Sequence, residues 1–378
     1  MIVDKTYRFR VYPNEEQKHL IEKTLGCVRQ VYNDFLEMTF ESYQNNGSIK
    51  INKFALIKLL PEYKKTFPYL KEVDSIALQQ SVVAVYYAYC NFFKHRCSFP
   101  KFHTKRKDRS YTTMNINNSI RISGKEIQMP KLGKLKIVCH RSLPCSFKFK
   151  FVSMTRVGSH YYVSLTGKEI CFNLKDENNK HLMLNKSIGI DFSLSDFLVD
   201  NNGNRYRMPS NIHQMYEKIK VAQRKQSKMQ LFSKNWFQQK RRIDLLFETL
   251  TNKRLDYLHK LSRKIADTYD YVFVENLRLN DIASREKREK FGKRLYRLSF
   301  GKFLKFLDYK TKWLGKKMVR IDTFYPSSQI CNDCGFRNKL LALKTKVWKC
   351  PNCGTVHNRD YNAAKNILNE GSRLVLNM

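Results

Sequence analysis

Two Cys-x2-Cys knuckles separated by fifteen residues, Cys331/Cys334 and Cys350/Cys353, decide how one stretch of this 378-residue chain must fold. The spacing is that of a four-thiolate zinc site, and four thiolates close the coordination shell, so the ion is structural rather than catalytic. Gly335 and Gly354 follow the knuckles, and a residue without Cβ permits the tight turn that aims backbone N–H groups at sulfur. His357 lies just beyond, but with four cysteines present it reads as incidental to the ion. The other six cysteines, Cys27, Cys90, Cys97, Cys139, Cys145 and Cys171, form no Cys-x-x-Cys pair and read mostly as small reduced core residues.

Charge narrows the partner. Lysine and arginine number 71 against 33 aspartates and glutamates, a formal net charge of +38. A folded body with that surplus needs an anionic partner, and nucleic acid is the common one. A genome-wide lysine bias is the bland alternative, but it raises glutamate as well and does not explain the imbalance. With 42% apolar and 13% aromatic residues the chain can build real cores, so it is not a disordered basic tail. Its length suggests two or three domains. The best apolar run, Val82–Tyr89, is far too short to span a bilayer. Nothing near Met1 resembles a signal peptide, so neither secretion nor a membrane partner is expected.

Along the chain the texture changes twice. Lys5, Tyr7, Phe9 and Val11 alternate with Thr6, Arg8 and Arg10 as in a half-buried strand, which Pro13 stops. Asn14 with Gln17 makes a capping-box start for a helix whose stripe is Ile21, Leu25, Val28, Tyr32 and Phe35. A second helix fits 75–96, with Val82, Val85, Tyr86, Tyr89 and Phe93 on one side. From 106 to 183 the period drops to two: a hairpin at Ser123-Gly124-Lys125, then Leu135/Ile137, then Phe147/Phe149/Phe151 alternating with Lys148 and Lys150, then a turn at Gly158-Ser159. With the N-terminal strand these suggest a small β-barrel, the oligonucleotide-binding type among the candidates. The remainder alternates strands at 186–192, 270–275 and 318–324 with long helices across 211–268, at 300–316 and from about 359. No internal repeat is visible.

Three acids stand at chemically suggestive places. In Ser187-Ile188-Gly189-Ile190-Asp191-Phe192-Ser193, the residues Gly189, Asp191 and Ser193 share one face. Small neighbours on that face leave room for a phosphate and metal ions. The apolar strand Tyr271–Val274 ends abruptly in Glu275, costly unless a cleft or a cation meets the carboxylate. Asp360 falls in the first turn of the last helix, where Ala363 and Ala364 allow close packing on a sheet. Mg²⁺ favours oxygen ligands, and paired Mg²⁺ ions clamp the attacking and leaving oxygens of a phosphodiester. Each acid alone also has a bland reading, a strand-end solubilising charge for Asp191 and a helix-dipole charge for Asp360. Basic tracts at 101–109 (including Lys101, Lys105, Arg106 and Lys107), 218–242 (including Arg241 and Arg242) and 285–297 together argue for an extended phosphate-binding channel.

Taken in order, Gly189-Ile190-Asp191, Val274-Glu275-Asn276-Leu277, Ser327-Ser328-Gln329-Ile330-Cys331 with its cysteine ribbon, and Arg359-Asp360-Tyr361-Asn362-Ala363-Ala364 resemble the nuclease half of the TnpB family. These are transposon-encoded RNA-guided endonucleases related to compact type V CRISPR effectors. Leu78-Gln79-Gln80, Phe92-Phe93-Lys94 and Phe99-Pro100-Lys101-Phe102 extend the resemblance over nearly the whole chain. It implies an α+β multidomain protein. Residue 1–13 would be the first strand of a wedge β-barrel and 14–105 a helical recognition lobe. The barrel would continue over 106–183, followed by an RNase H-like RuvC nuclease domain over 184–378 with a zinc ribbon insertion at 326–355.

The resemblance further implies that Asp191, Glu275 and Asp360 bind Mg²⁺, two ions in the expected arrangement, and cut DNA. A guide RNA from the transposon end would pair with one strand of a target DNA, while the protein reads a short target-adjacent motif near Gln79 or Gln80. One chain per guide RNA, in the cytoplasm of a bacterial or archaeal cell, is the expected state. Asn358 stands where the helix motif often has Asp, and Ser193 and Ser195 replace small and basic residues. A guide-dependent DNA-binding repressor with little cleavage is the alternative. A transposase that joins DNA ends is disfavoured, because no end-recognition module is evident.

Overall fold

The computed structural model describes residues 2–46, 52–105, 109–170, 183–276, 298–342 and 345–377. Arg106, Lys107, Cys171, Leu277 and the 285–297 tract lie outside the described residues. The chain divides into two compact units, residues 1–171 and 172–378.

In the first unit the N-terminal strand is the centre of a sheet rather than its edge. Strand β1 (Ile2–Tyr12) pairs antiparallel with β7 (His160–Ile170) on one side and β5 (Gly133–Val138) on the other. The order is β2-β6-β7-β1-β5-β4-β3, with β2 at Ser110–Met114, β3 at Arg121–Ser123, β4 at Glu126–Met129 and β6 at Lys148–Val157. Chain length forces this sheet to curl. Seven flat strands would hold the outer two about 29 Å apart. Yet the seven residue steps from Met114 to Arg121 reach at most about 25 Å fully extended. Among the described residues no ladder joins β2 to β3, so the expected barrel is a curled sheet here. Phe9, Ile127, Leu135, Val152, Met154, Val163 and Leu165 fill its concave side, all essentially buried.

The expected Phe147/Phe149/Phe151 face is broken. Phe149 pairs with Gly167 and Phe151 with the very next residue, Thr166, so Lys150 is an extra, bulged residue. A bulge shifts the pleat by one, and the inward positions become Val152 and Met154 while Phe151 is only half-buried.

Helix α1 (Glu15–Asn46) starts on the expected capping box: Asn14 N–H donates to Gln17 Oε1 at 3.0 Å and Gln17 N–H to Asn14 Oδ1 at 2.8 Å. Its Ile21 and Leu25 join the sheet core, whereas Val31, Tyr32 and Phe35 join a second core with α2 (Lys53–Thr66) and α3 (Ser75–Phe93). Sequence periodicity does not reveal α2, because it buries only Leu60 and carries Pro61 in its interior. In α3, Val82, Val85 and Tyr89 are buried as expected, but Phe93 is exposed at the helix end.

The second unit is built on a five-stranded sheet in the order β10-β9-β8-β11-β12. Strands β8 (Ser187–Ser193), β11 (Tyr271–Glu275) and β12 (Lys317–Ile321) are mutually parallel, while β9 (Phe197–Asp200) runs antiparallel to β8 and β10 (Arg205–Tyr206) antiparallel to β9. One face, including Ile188, Ile190, Val272 and Val274, packs on Leu258, Leu261 and Ile265 of α5 (Lys234–Thr268) and on Phe303 and Leu307 of α6 (Phe300–Trp313). Helix α4 (Ser210–Ser227) pairs with the outer part of α5 through Ile212, Met215, Ile219 and Leu250. The other face receives the last helix, α7 (Arg359–Leu376), which follows the hairpin β13 (Val347–Lys349) and β14 (Val356–Asn358). Among the described residues no helix is long and apolar enough to cross a membrane.

Candidate active site and metal centre

The sheet register sets two of the three acids side by side. Tyr271 pairs with Ser187 and the ladder runs on to Val274 opposite Ile190. The next residues, Glu275 and Asp191, emerge together at the carboxyl ends of two parallel strands, where open α/β sheets place their sites. Asp360 arrives from the first turn of α7, which lies on the same face. Burial, and then the negative charges of Glu275 and Asp360, hold the Asp191 carboxyl well above the usual carboxylate range. The Arg359 guanidinium and the Phe192 N–H oppose that shift without cancelling it. Burial also raises Glu275, against a hydrogen bond from Ser327 Oγ and the charge of Arg359.

Neighbouring acids behave otherwise. Asp196 is buried but paired with Arg207 at 2.5 Å and Arg205 at 3.3 Å. Asp200 accepts N–H groups from Asn202 and Asn204 and the hydroxyl of Tyr206. These carboxylates are structural and satisfied; Asp191, Glu275 and Asp360 confront one another. Negative charge that Arg359 offsets only in part suits a hard divalent cation with oxygen ligands, although among the described residues the cysteines, and not these acids, bring their ligand atoms within a common ligating distance. A cavity of about 1440 Å³ opens between α4, α5 and the 194–208 segment, but none of the three acids lines it.

Gly189 does not make room for a phosphate, as its place beside Asp191 suggested. A Cβ there would lie 2.3 Å from the Ala364 carbonyl oxygen and 2.7 Å from the Leu368 nitrogen. A Cβ on Gly371 of α7 would lie 2.2 Å from the Phe273 ring of β11, a side-chain contact. Gly189 lets the β8 backbone approach that of α7, Gly371 makes room for the Phe273 ring, and Ala363 and Ala364 are buried. Ser193, on the same face, is also buried. Asn358, in place of the expected acid, caps α7: its Oδ1 accepts the Tyr361 N–H at 3.2 Å, a role Asn and Asp fill equally.

The four cysteines converge, with ligand atoms all within 4.8 Å of one another. The Cys331–Cys353 and Cys334–Cys350 sulfur separations are both 3.6 Å. A tetrahedral zinc with Zn–S bonds of about 2.3 Å requires about 3.8 Å between sulfurs, so the set fits the ion. Gly335 and Gly354 have φ of 74° and 75°, the left-handed turn expected of the knuckles. Hydrogen bonds from the Thr355 hydroxyl and N–H pull the Cys353 thiol down to about 6. His357 is not among the four converging ligands but supports one of them. It is buried, its Nε2 lies 3.0 Å from Cys331 Sγ, and its ring packs on Trp348 at 4.9 Å.

Hydrogen bonds from α7 tie the cysteine ribbon to the segment beside the acids. Asn366 Nδ2 donates to the carbonyls of Ser327 and Ile330, both at 2.7 Å, and Asn362 Nδ2 donates to Ile330 O at 2.6 Å. One turn apart on α7, the two asparagines pin the segment that begins at Ser327, the Glu275 partner, and ends at Cys331. Arg359 fixes the other side through Ala342 O and Ser328 Oγ. Arg359 opens the helix motif that contains Asp360, but its partners in the ribbon segment cannot be read from that motif.

The nucleic-acid candidates are spread over the surface. Gln79 and Gln80 are half-buried on α3, with Gln80 Nε2 donating to Met114 Sδ at 3.1 Å. Lys101 and Lys105 are exposed beside His103, whose backbone exchanges two hydrogen bonds with Asn33 and whose ring stacks on Tyr32 at 3.6 Å. Arg241 and Arg242 are exposed on α5. Arg106 lies outside the described residues.

A chain with a parallel sheet carrying converging acids and a four-cysteine ribbon finds its relatives on both counts. Family profiles match residues 1–48 ("Helix-turn-helix domain" of the OrfB/IS605 type), 169–286 ("Probable transposase", OrfB/IS605) and 300–367 ("Cas12f1-like, TNB domain"). Despite the first description, residues 2–46 form one strand and one 32-residue helix here. A "Putative RNA-guided DNA endonuclease" of Streptomyces pristinaespiralis is 28% identical over 98% of this chain and 90% of its own length. The "Putative RNA-guided DNA endonuclease InsQ" of Escherichia coli K12 is 26% identical over 97% of this chain and 92% of its own. Among solved structures, the Cas12f1–sgRNA–target DNA complex contains a chain of the same fold. Its TM-score is 0.63 at 14% identity, over 97% of this chain and 99% of that one. Along nearly its whole length the chain is thus similar in sequence to OrfB/IS605 (TnpB-like) proteins.

Proposed function

We propose that this protein is an RNA-guided DNA endonuclease that hydrolyses phosphodiester bonds with Mg²⁺ held by Asp191, Glu275 and Asp360. The observation that carries the reading is the contrast within one sheet: Asp196 and Asp200 have cationic or N–H partners, while these three acids face each other with Asp191 pushed well above its ordinary range. The strand order, with one antiparallel strand among parallel ones, supports an RNase H-like, RuvC-type module over the second unit. The curled sheet and α1–α3 would serve as wedge and recognition lobe.

Bound Mg²⁺ supplies charge neutralisation at the scissile phosphate and orients the attacking and leaving oxygens. The chain's own residues do the rest. Ser327 orients Glu275 by donating to one carboxylate oxygen. Arg359 places a cation beside the acids, and α7 holds Asp360 against the strand that bears Asp191. The cysteine ribbon is structural. The net charge of +38 is divided between a guide RNA from the transposon end and a target DNA. A short motif beside the target would be read near Gln79 and Gln80, by one chain per guide inside a bacterial or archaeal cell.

The deciding experiment purifies the protein with its co-purifying RNA, sequences that RNA, and offers a plasmid bearing the matching target in Mg²⁺. Cleavage that disappears in Asp191→Ala while target binding persists is the expected result. A target that is bound and protected but left intact by the parent protein would establish a repressor instead.

A further inference from the structure

The turn between α4 and α5 exposes an aromatic cluster that the acids and the metal centre do not use. Phe232 is 73% exposed, Phe237 52% and Leu231 67%, an unusual group to leave in water. The rings form one cluster: Phe232 to Trp236 at 5.7 Å, Trp236 to Phe237 at 5.2 Å and Phe232 to Phe237 at 6.3 Å between centroids. Phe232 has a φ of 63°, the left-handed region that bulky side chains avoid. The cluster stands far from the sheet. Helix α5 has 35 residues, and at 1.5 Å per residue Trp236 is about 33 Å along it from Leu258, where α5 meets the sheet core.

The charge around this tip has a single sign. Residues 218–243 contain nine lysines and arginines and no acid. Lys225 at the end of α4, Lys228 in the turn and Lys234 and Arg241 in α5 are exposed, and Lys240 Nζ lies 5.2 Å from the Trp236 centroid. A partner that matches must offer flat apolar faces together with closely spaced negative charge. Nucleobases on a phosphate backbone do both, and aromatic platforms set in basic surfaces are how proteins hold bases without reading their sequence.

From this the geometry points to the α4–α5 tip as a second nucleic-acid site. Phe232 and Phe237 stack on unpaired or terminal bases while the surrounding lysines and arginines take the adjoining phosphates. The same chemistry is offered by RNA and by DNA, so the source is left to the experiment. The inference does not depend on what Asp191, Glu275 and Asp360 do.

The test uses full-length, zinc-loaded Asp191→Asn protein, so that cleavage plays no part, and labelled 20-nucleotide single strands of uridine RNA and of thymidine DNA. The double variant Phe232→Ala/Phe237→Ala should bind at least one of them about ten-fold more weakly. The slope of log affinity against log salt should be unchanged. Lys234→Gln/Lys240→Gln should instead reduce that slope. Ultraviolet crosslinking of the protein with its co-purified RNA and a DNA target, read by mass spectrometry, should find a nucleotide on the peptide containing residues 231–237. Uridine or thymidine mass then names the source. Three outcomes overturn the site: unchanged affinity for both strands with no adduct, a self-association that the ring variant abolishes, or binding to anionic phosphatidylglycerol vesicles in place of oligonucleotides. A circular-dichroism melt matching the parent keeps a null binding result from being blamed on misfolding.

Discussion

Gly189 and Ala364 touch through their backbones: a Cβ on Gly189 would lie 2.3 Å from the Ala364 carbonyl oxygen. That contact sets the distance between the strand that carries Asp191 and the helix that carries Asp360. Gly189→Ala cannot be absorbed by a side-chain rotation, because what it meets is backbone. Overpacking of a tight core costs about 1–3 kcal/mol, and the loss here should reach the upper end of that range. Because α7 must retreat, DNA cleavage should fall much further than zinc content. Urea unfolding, metal analysis and a cleavage assay on one preparation check the three together; a variant as stable and as active as its parent would show that the contact does not position the acids.

The acids should also leave a signature in the pH dependence of stability. Asp191 is raised well above 3.8 and Glu275 above 4.5, by burial first and, for Asp191, by the other two acids. Between the unfolded and folded values the native state holds more protons than the unfolded chain, so stability falls as pH rises through that window. Without divalent metal, Asp191→Asn should therefore be more stable than the parent at pH 8, and its stability should vary less with pH from about pH 4 upward. Mg²⁺ must displace the retained protons, so its stabilising effect on the parent should grow with pH and be weak in the variant. Thermal unfolding with and without Mg²⁺ at several pH values measures this. A parent already insensitive to both would remove the case for a metal-binding cluster.

Much of this arrangement is legible in the sequence, for identifiable reasons. Glu275 ends an apolar strand, Asp191 sits in a strand with two small neighbours, and the cysteine spacing carries its own geometry; each signal is local. What periodicity cannot show depends on partners distant along the chain. Gly189 invites the reading of a space for substrate, and only the packing of α7 shows that the space is filled by Ala364 and Leu368. Lys150 looks like the next member of an alternating strand, yet the ladder to β7 skips it. Ser327 and Asn362 stand in recognisable motifs, yet their roles, like that of Asn366, show only in the hydrogen bonds between α7 and the ribbon segment. Helix α2 is invisible for a related reason, since it contributes one fully buried side chain to a core built mainly by α1 and α3.

Asn366 provides a direct test of the link between ribbon and acids. Asn366→Ala would leave the carbonyls of Ser327 and Ile330 without this donor in a buried setting, at a cost of about 1–3 kcal/mol. Asn362 still serves Ile330, so the ribbon should hold its zinc. The Ser327 segment should loosen and with it the hydrogen bond to Glu275. The expected result is one zinc per chain, a moderate loss of stability and a clear drop in cleavage at saturating target. Asn366→Asp, which retains an oxygen but not the donor pair, should not rescue it.

At the metal centre the ligands and their neighbour should separate cleanly. Cys331 is fully buried and its loss removes a ligand, so Cys331→Ser should lower zinc from one per chain towards none and unfold the ribbon. His357 acts differently, because its Nε2 sits at hydrogen-bond distance from Cys331 Sγ without being needed to complete four thiolates. His357→Phe keeps the packing on Trp348 but removes the donor to the sulfur. Stoichiometry should remain one zinc, while release to a chelator becomes about ten-fold faster, the usual scale for losing a partner of a metal ligand. His357→Gln, which can still donate, should lie between the two. If His357→Phe instead halved or abolished zinc content, the histidine would be a ligand in its own right and one of the four cysteines would be the supporting residue.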